Sequence, residues 1–233
     1  VRSSFEFAAR LPRIKFEELY DSYPPELANR FFDTMTIQKG TSKLLIDFSA
    51  ALLQILFGII LLSFYHPYFI MLGFLLLVLL YLIFKYSYFI GLENSLKVSK
   101  YKYKVAGWLQ EMARNNYSFR KERNYDFALQ KNDKFASEYL NYRESLFNVL
   151  KRQFSHLIVF KIIITASLLT IGGYLVISQE MNIGQFVAAE IIILLVINSV
   201  EKIILGLETL YDVLTAVEKI GLVTDLTMEE DTN

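Results

Sequence analysis

Four stretches of the chain are apolar on nearly every face, and a bilayer's hydrocarbon core, about 30 Å thick, takes about 20 such residues as a helix, with about 17 as the lower limit. The first runs from Leu44 to Phe64, the second from Tyr68 to Phe84, the third from Leu157 to Ser178 and the fourth from Ile183 to Leu205. Only Tyr65, His66 and Pro67 separate the first two, and only Gln179 to Asn182 the last two, so each pair predicts a tight helical hairpin. Pro12, Pro24, Pro25 and Pro67 all lie outside these runs. Uninterrupted helices in lipid require that, because their backbone groups must satisfy one another. Buried core helices are the soluble alternative, but four segments apolar all round would need a large polar shell in one small chain.

The polar stretch from Lys85 to Arg152 is too long for a loop and too polar for lipid, so it should carry structure of its own. Val105, Leu109 and Met112 keep helical spacing before Asn115 and Asn116; Phe135, Tyr139, Tyr142, Leu146 and Val149 recur in steps of four and three after them. A turn at the Asn pair predicts two antiparallel helices, which at about 1.5 Å per residue carry the spans roughly 40 Å beyond the membrane. Upstream, Val1 to Leu11 has a helical pattern that Pro12 breaks, and Arg13 to Asp21 predicts a short amphipathic helix bearing Phe16, Leu19 and Tyr20. Pro25 suits the first turn of a helix running through Glu26 to Lys43 into the first span. Downstream, Glu208 to Leu226 continues the last helix, and Met228 to Asn233 reads as an acidic linker. The expected partition is a cytosolic hairpin over 1–43, two spans over 44–84, a cytosolic helical stalk over 85–156, two spans over 157–205 and a linker over 206–233. The fold class is an all-α membrane protein with four full spans.

Composition adds constraints. With 54% hydrophobic and 21% charged residues, the two kinds must be segregated along the chain. Fourteen of the 24 basic residues fall between Lys85 and Arg152 and seven between Arg2 and Lys43, whereas neither hairpin link holds one. Cytosolic loops carry the positive excess, so the links are expected outside and both termini in the cytosol, in a multi-pass protein of the plasma (inner) membrane. Balanced charge gives no reason to expect a nucleic-acid partner. The absence of cysteine excludes disulfides and thiolate metal sites, and two scattered histidines do not build a zinc site. No signal peptide pattern opens the chain, and the start at Val1 is read as a truncation.

Ionisable residues inside spans are costly, by about 2.5 to 3.5 kcal/mol on insertion scales, and tend to face a cavity or a partner. Lys161, Glu190 and Glu201 are of this kind. Glu190, Asn198 and Glu201 fall within about 80° of one another on a helix, a polar stripe expected to face a central pathway. Lys161 lies 17 residues before Ser178 and Glu201 lies 18 after Ile183, which puts them at nearly the same depth and within reach of pairing. The competing reading is that both snorkel to the inner interface. His66 reads as an interfacial turn residue, His156 as a neighbour of Arg152 at the inner interface, and the aromatics from Tyr81 to Phe89 as an interfacial belt.

Three local motifs, Glu26 to Thr34 with Ile37, Gly172 to Ala188 and Ala216 to Ile220, together resemble the transmembrane domain of exporter-type ATP-binding-cassette (ABC) transporters, type 1. Glu26-Leu27-Ala28-Asn29-Arg30-Phe31-Phe32-Asp33-Thr34 with Ile37 is similar to the pattern opening that family's third helix, with Pro25 in place of the usual glycine. Gly172-Gly173-Tyr174-Leu175-Val176 followed by Asn182-Ile183-Gly184-Gln185-Phe186-Val187-Ala188 resembles the end of its fifth helix and the start of its sixth. Ala216-Val217-Glu218-Lys219-Ile220 resembles the stretch leading to the nucleotide-binding domain, with Lys219 where arginine is common. The order and spacing of these motifs cover nearly the whole chain; the family's first helix, most of its second and its nucleotide-binding domain are missing.

The resemblance implies a membrane part that pairs with a second transmembrane domain, as homo- or heterodimer, within membrane lipid, and that takes ATP and Mg only through a nucleotide-binding domain. The sequence has no Gly-x-x-x-x-Gly-Lys-Ser/Thr phosphate loop, so this chain itself is not expected to hydrolyse ATP. It also implies two coupling helices that seat in those domains: one over about Arg13 to Asp21 with Phe16, Leu19 and Tyr20, the other near Tyr117 to Arg123 with Tyr117, Phe119 and Arg120. Aromatics at ordinary helix turns are the plainer reading of the same residues. A membrane-anchored scaffold or signalling protein, with the cytosolic hairpin as docking rod, is the alternative function. An intramembrane enzyme lacks a convergent Ser/His, His-x-x-His or paired-Asp set.

Overall fold

The computed structural model describes residues 2–19, 24–120 and 122–229. Among them the chain is helical apart from turns, short links and one isolated β-bridge. Helix α1 spans Arg2–Arg10, α2 Pro24–Asn29, α3 Asp33–Ser63, α4 Pro67–Arg114, α5 Asn116–Phe119, α6 Glu122–Ile177 and α7 Ile183–Thr224. Each of the four apolar stretches lies, to within one residue at its end, in one of α3, α4, α6 and α7, the helices here that are long and apolar enough to cross a membrane. All four continue into polar sequence without a break, because no proline interrupts them after Pro67 opens α4.

The link between α6 and α7 follows from local chemistry. After α6, Gln179 adopts φ 61°, and the Glu180 N–H returns to the Leu175 carbonyl at 2.9 Å, a Schellman-type stop built on glutamine where glycine is usual. Helix α7 then opens on a reciprocal capping box: the Gln185 N–H donates to Asn182 Oδ1 at 2.8 Å, and the Asn182 N–H donates to Gln185 Oε1 at 3.0 Å.

The chain divides into two compact units. The membrane unit comprises residues 42–91 and 148–210. Leu62, Phe69, Leu76, Phe160, Ile164 and Val196 are buried at its centre. Phe57, Phe74, Ile162 and Leu194 are exposed, the inside-and-outside apolar character of a helix solvated by lipid. Gly58 lets α3 approach α7 closely, since a methyl there would overlap Val196 Cγ2. Phe48 lies over Gly206 of α7 in the same way.

The polar unit comprises residues 1–41, 92–147 and 211–233. Phe7, Ile14, Leu27 and Val223 form a small core, lined further by Leu11, Leu19, Phe31 and Leu226. Helices α4 and α6 meet through stacked Tyr101 and Tyr142, with Lys97 over the Tyr142 ring.

Four local expectations change. The short helix expected over Arg13 to Asp21 is instead two 3-10 turns, Leu11–Arg13 and Phe16–Leu19, with Ile14 extended between them. Pro12 in the first turn and the pairing of Ile14 with Met228 hold that break open. The same bridge takes Met228 out of a free linker, while 230–233 lie outside the described residues. The helix from Glu26 into the first span tightens to a 3-10 turn at Arg30–Phe32. On the polar part of α4, Leu109 is exposed, and the buried positions include Ser95, Val98, Ser99 and Tyr103.

Candidate functional site

In the membrane unit some polar side chains join helix to helix. Lys161 Nζ of α6 donates to Glu201 Oε2 of α7 at 2.8 Å, with both side chains about two-thirds buried. Two residues nearer the start of α7, Ser199 Oγ donates to Gln54 Oε1 of α3 at 2.7 Å. On its own helix Gln54 is one polar residue in an apolar run, and spacing along a single helix does not reveal its partner. Glu190 is half-buried and Asn198 is exposed, sharing its face of α7 with Ile191, Leu194 and Leu195. The structure therefore brings Lys161 and Glu201 together, and leaves Asn198 on the surface of the chain. Elsewhere in the membrane unit, half-buried His156 and exposed Tyr86 line an apolar crevice with Leu79, Ile83, Phe160 and Ile163.

Both turns singled out in the sequence lie in the polar unit. In the first, Phe16 is 70% exposed while Leu19 packs on the small core. Tyr20 lies outside the described residues. In the second, α5 is a single turn, shorter than the expected Tyr117 to Arg123, because the chain re-enters helix α6 at Glu122; Lys121 lies outside the described residues. Tyr117 is 84% exposed. Phe119 is turned inward, edge-on to Trp108 at 5.7 Å. Arg120 Nε donates to Asn116 Oδ1 at 3.0 Å, which folds it back on its own turn. Trp108, unremarked in the sequence, seats this turn: its Nε1 donates to the Ala128 carbonyl at 3.0 Å, and Lys131 lies 4.1 Å from its ring centre.

A buried polar knot links the starts and ends of these elements. Asp33 is 4% exposed, with Lys102 Nζ at 3.9 Å and one carboxylate oxygen unpartnered. Burial raises the Asp33 pKa above its ordinary value, against the hydrogen bond that the Tyr103 hydroxyl donates to it and the nearby cations. Burial, then the hydrogen bond to Asp33 and its charge, likewise raise Tyr103. Lys219 is 8% exposed, and burial lowers its pKa against the pull of Glu218. Thr215 of α7 donates to Ser95 of α4 at 2.9 Å beside them. Among the described residues, no group of three or more His, Cys, Asp or Glu side chains converges as a metal site.

The chain matches the family described as the ABC transporter transmembrane region over residues 23–200. No curated protein matches it.

Proposed function

Since the chain belongs to the family of ABC transporter transmembrane regions and is the multi-pass membrane part of such a transporter, we propose that it forms a substrate pathway driven by ATP hydrolysis in separate nucleotide-binding domains. The observation that carries this is the continuity of α3, α4, α6 and α7 from membrane-length apolar stretches into polar sequence, with α4 and α6 joined by a one-turn helix that displays Tyr117. A rigid helix tipped by a protruding aromatic transmits displacement at its tip to its apolar end. Phe16 and Tyr117 are the proposed contacts with the nucleotide-binding domains, and Phe119 and Arg120 hold the second turn in shape.

Lys161, Glu190, Asn198 and Glu201 are proposed to border the pathway, which a second transmembrane domain completes as a homo- or heterodimer. Both termini face the cytosol from the plasma membrane, and the direction of transport is outward; ATP and Mg are bound by the partner domain. Cysteine placed at Tyr117 should cross-link to an ATP-binding-cassette chain in native membranes. Cross-linking only to proteins without such a domain would refute the coupling role. Glu190→Gln should alter transport at unchanged expression, and unchanged transport removes Glu190 from the pathway.

A further inference from the structure

The stretch following α7 does not leave the molecule as a free linker. The Lys15 N–H donates to the Thr227 carbonyl at 3.1 Å, and the Glu229 N–H donates to the Arg13 carbonyl at 2.7 Å. These bonds make Ile14 and Met228 an antiparallel bridge. The Thr227 hydroxyl donates to Glu18 of the Phe16–Leu19 turn at 2.7 Å. At the end of α7 itself, Arg10 Nη1 donates to the Thr224 carbonyl at 2.8 Å, placing a cation on the negative end of that helix. Beneath these bonds, Ile14 and Val223 share the small core with Leu19 and Leu226.

A 3-10 turn of four residues does not hold its own conformation in water. Its pose must come from what it touches, and much of that is the other end of the chain. We infer that residues 224–229 are a strap that positions the first coupling turn and ties it to the end of α7, so that turn and helix end move as one body. This rests on the coupling reading of the turn. Under it, the strap gives the last spanning helix a direct connection to the turn, in addition to the helix α1 that precedes it.

The chain has no cysteine, so an introduced pair is unambiguous. The bonding pattern makes Ile14 and Met228 a non-hydrogen-bonded pair, whose Cα atoms sit about 4.5 Å apart, within disulfide range. Ile14→Cys with Met228→Cys, in the full chain with its partners in membranes, should on oxidation lose at least about fivefold more free thiol than either single variant. Thiol loss no greater than in the single variants overturns the strap. The oxidised assembly should hydrolyse MgATP within about twofold of the same sample after reduction. A larger loss, reversed by reductant, shows that the strap must open and overturns movement as one body. If even the parent assembly hydrolyses no MgATP, the coupling reading falls alone, and thiol loss still decides the strap. Should the paired variant fail to accumulate, amide exchange in the parent decides: slow exchange at Lys15 and Glu229 supports the strap, and free exchange overturns it.

Discussion

Lys161 and Glu201 hold each other where either charge alone would be expensive. A lone ammonium or carboxylate at that depth loses water without gaining a partner, whereas the 2.8 Å bond offsets both penalties together. Lys161→Met and Glu201→Gln should therefore each destabilise the purified protein, and the double variant should be more stable than the sum of the two. A double-mutant cycle on thermal unfolding should give a coupling of about 1 kcal/mol or more. Additive effects would mean that the two side chains snorkel independently. In the polar unit, the Asp33 carboxyl is raised by burial, so between its unfolded value of 3.8 and its folded value the native state binds more protons than the unfolded state. Stability falls as pH climbs through that window. Lys219 is lowered, so the native state binds fewer protons between its folded value and 10.5, and stability rises with pH there. Asp33→Asn should abolish the loss on the acid side and leave the alkaline gain intact, as read from melting temperature against pH.

At the level of elements, the capping box that opens α7 is exposed and reciprocal, so Asn182→Ala should destabilise by about 1 kcal/mol. Hydrogen exchange should show the loss as fraying confined to the first turn of α7. Trp108 carries a different load, because Phe119, Phe127 and Lys131 all rest on its ring. Trp108→Ala should expose amides from 116 to 120 to exchange by about tenfold or more, with those around Ile197 unchanged. Uniform loss of protection across the chain would assign Trp108 a global role. Where α3 meets α7, a larger side chain cannot fit against Val196, so Gly58→Leu should destabilise by about 1–3 kcal/mol through overpacking.

For the molecule as a whole, the segregation of lysine and arginine predicts one arrangement in the membrane. Cysteine at Asn115 should react with an impermeant maleimide only from the cytosolic side, and cysteine at Glu180 only from the outside. The reverse pattern would invert the whole topology. Most of this level was legible in the sequence, since four long apolar runs, prolines confined to their margins and the motifs around Asp33, Asn182 and Lys219 led to the family that the chain matches. The parts of the candidate site that were not legible involve partners far apart in sequence: Gln54 with Ser199, and Glu18 with Thr227. A periodic pattern reports which face of a helix is apolar and says nothing about which polar residue on another helix will meet it.

What the sequence determined by itself was therefore what depends on one segment and its solvent: span length, helix continuity and hairpin links. Those properties arise from the transfer of a single helix between water and lipid, and composition within a window of about 20 residues decides them. The tertiary structure decided what depends on two segments at once. It turned Arg13 to Leu19 from a helix into extended and 3-10 backbone, because Thr227 and Glu229 supply hydrogen bonds that a short helix could not match. It also buried Asp33 and Lys219, whose charges alone would have placed them at the surface, because close packing of neighbouring elements leaves them no water.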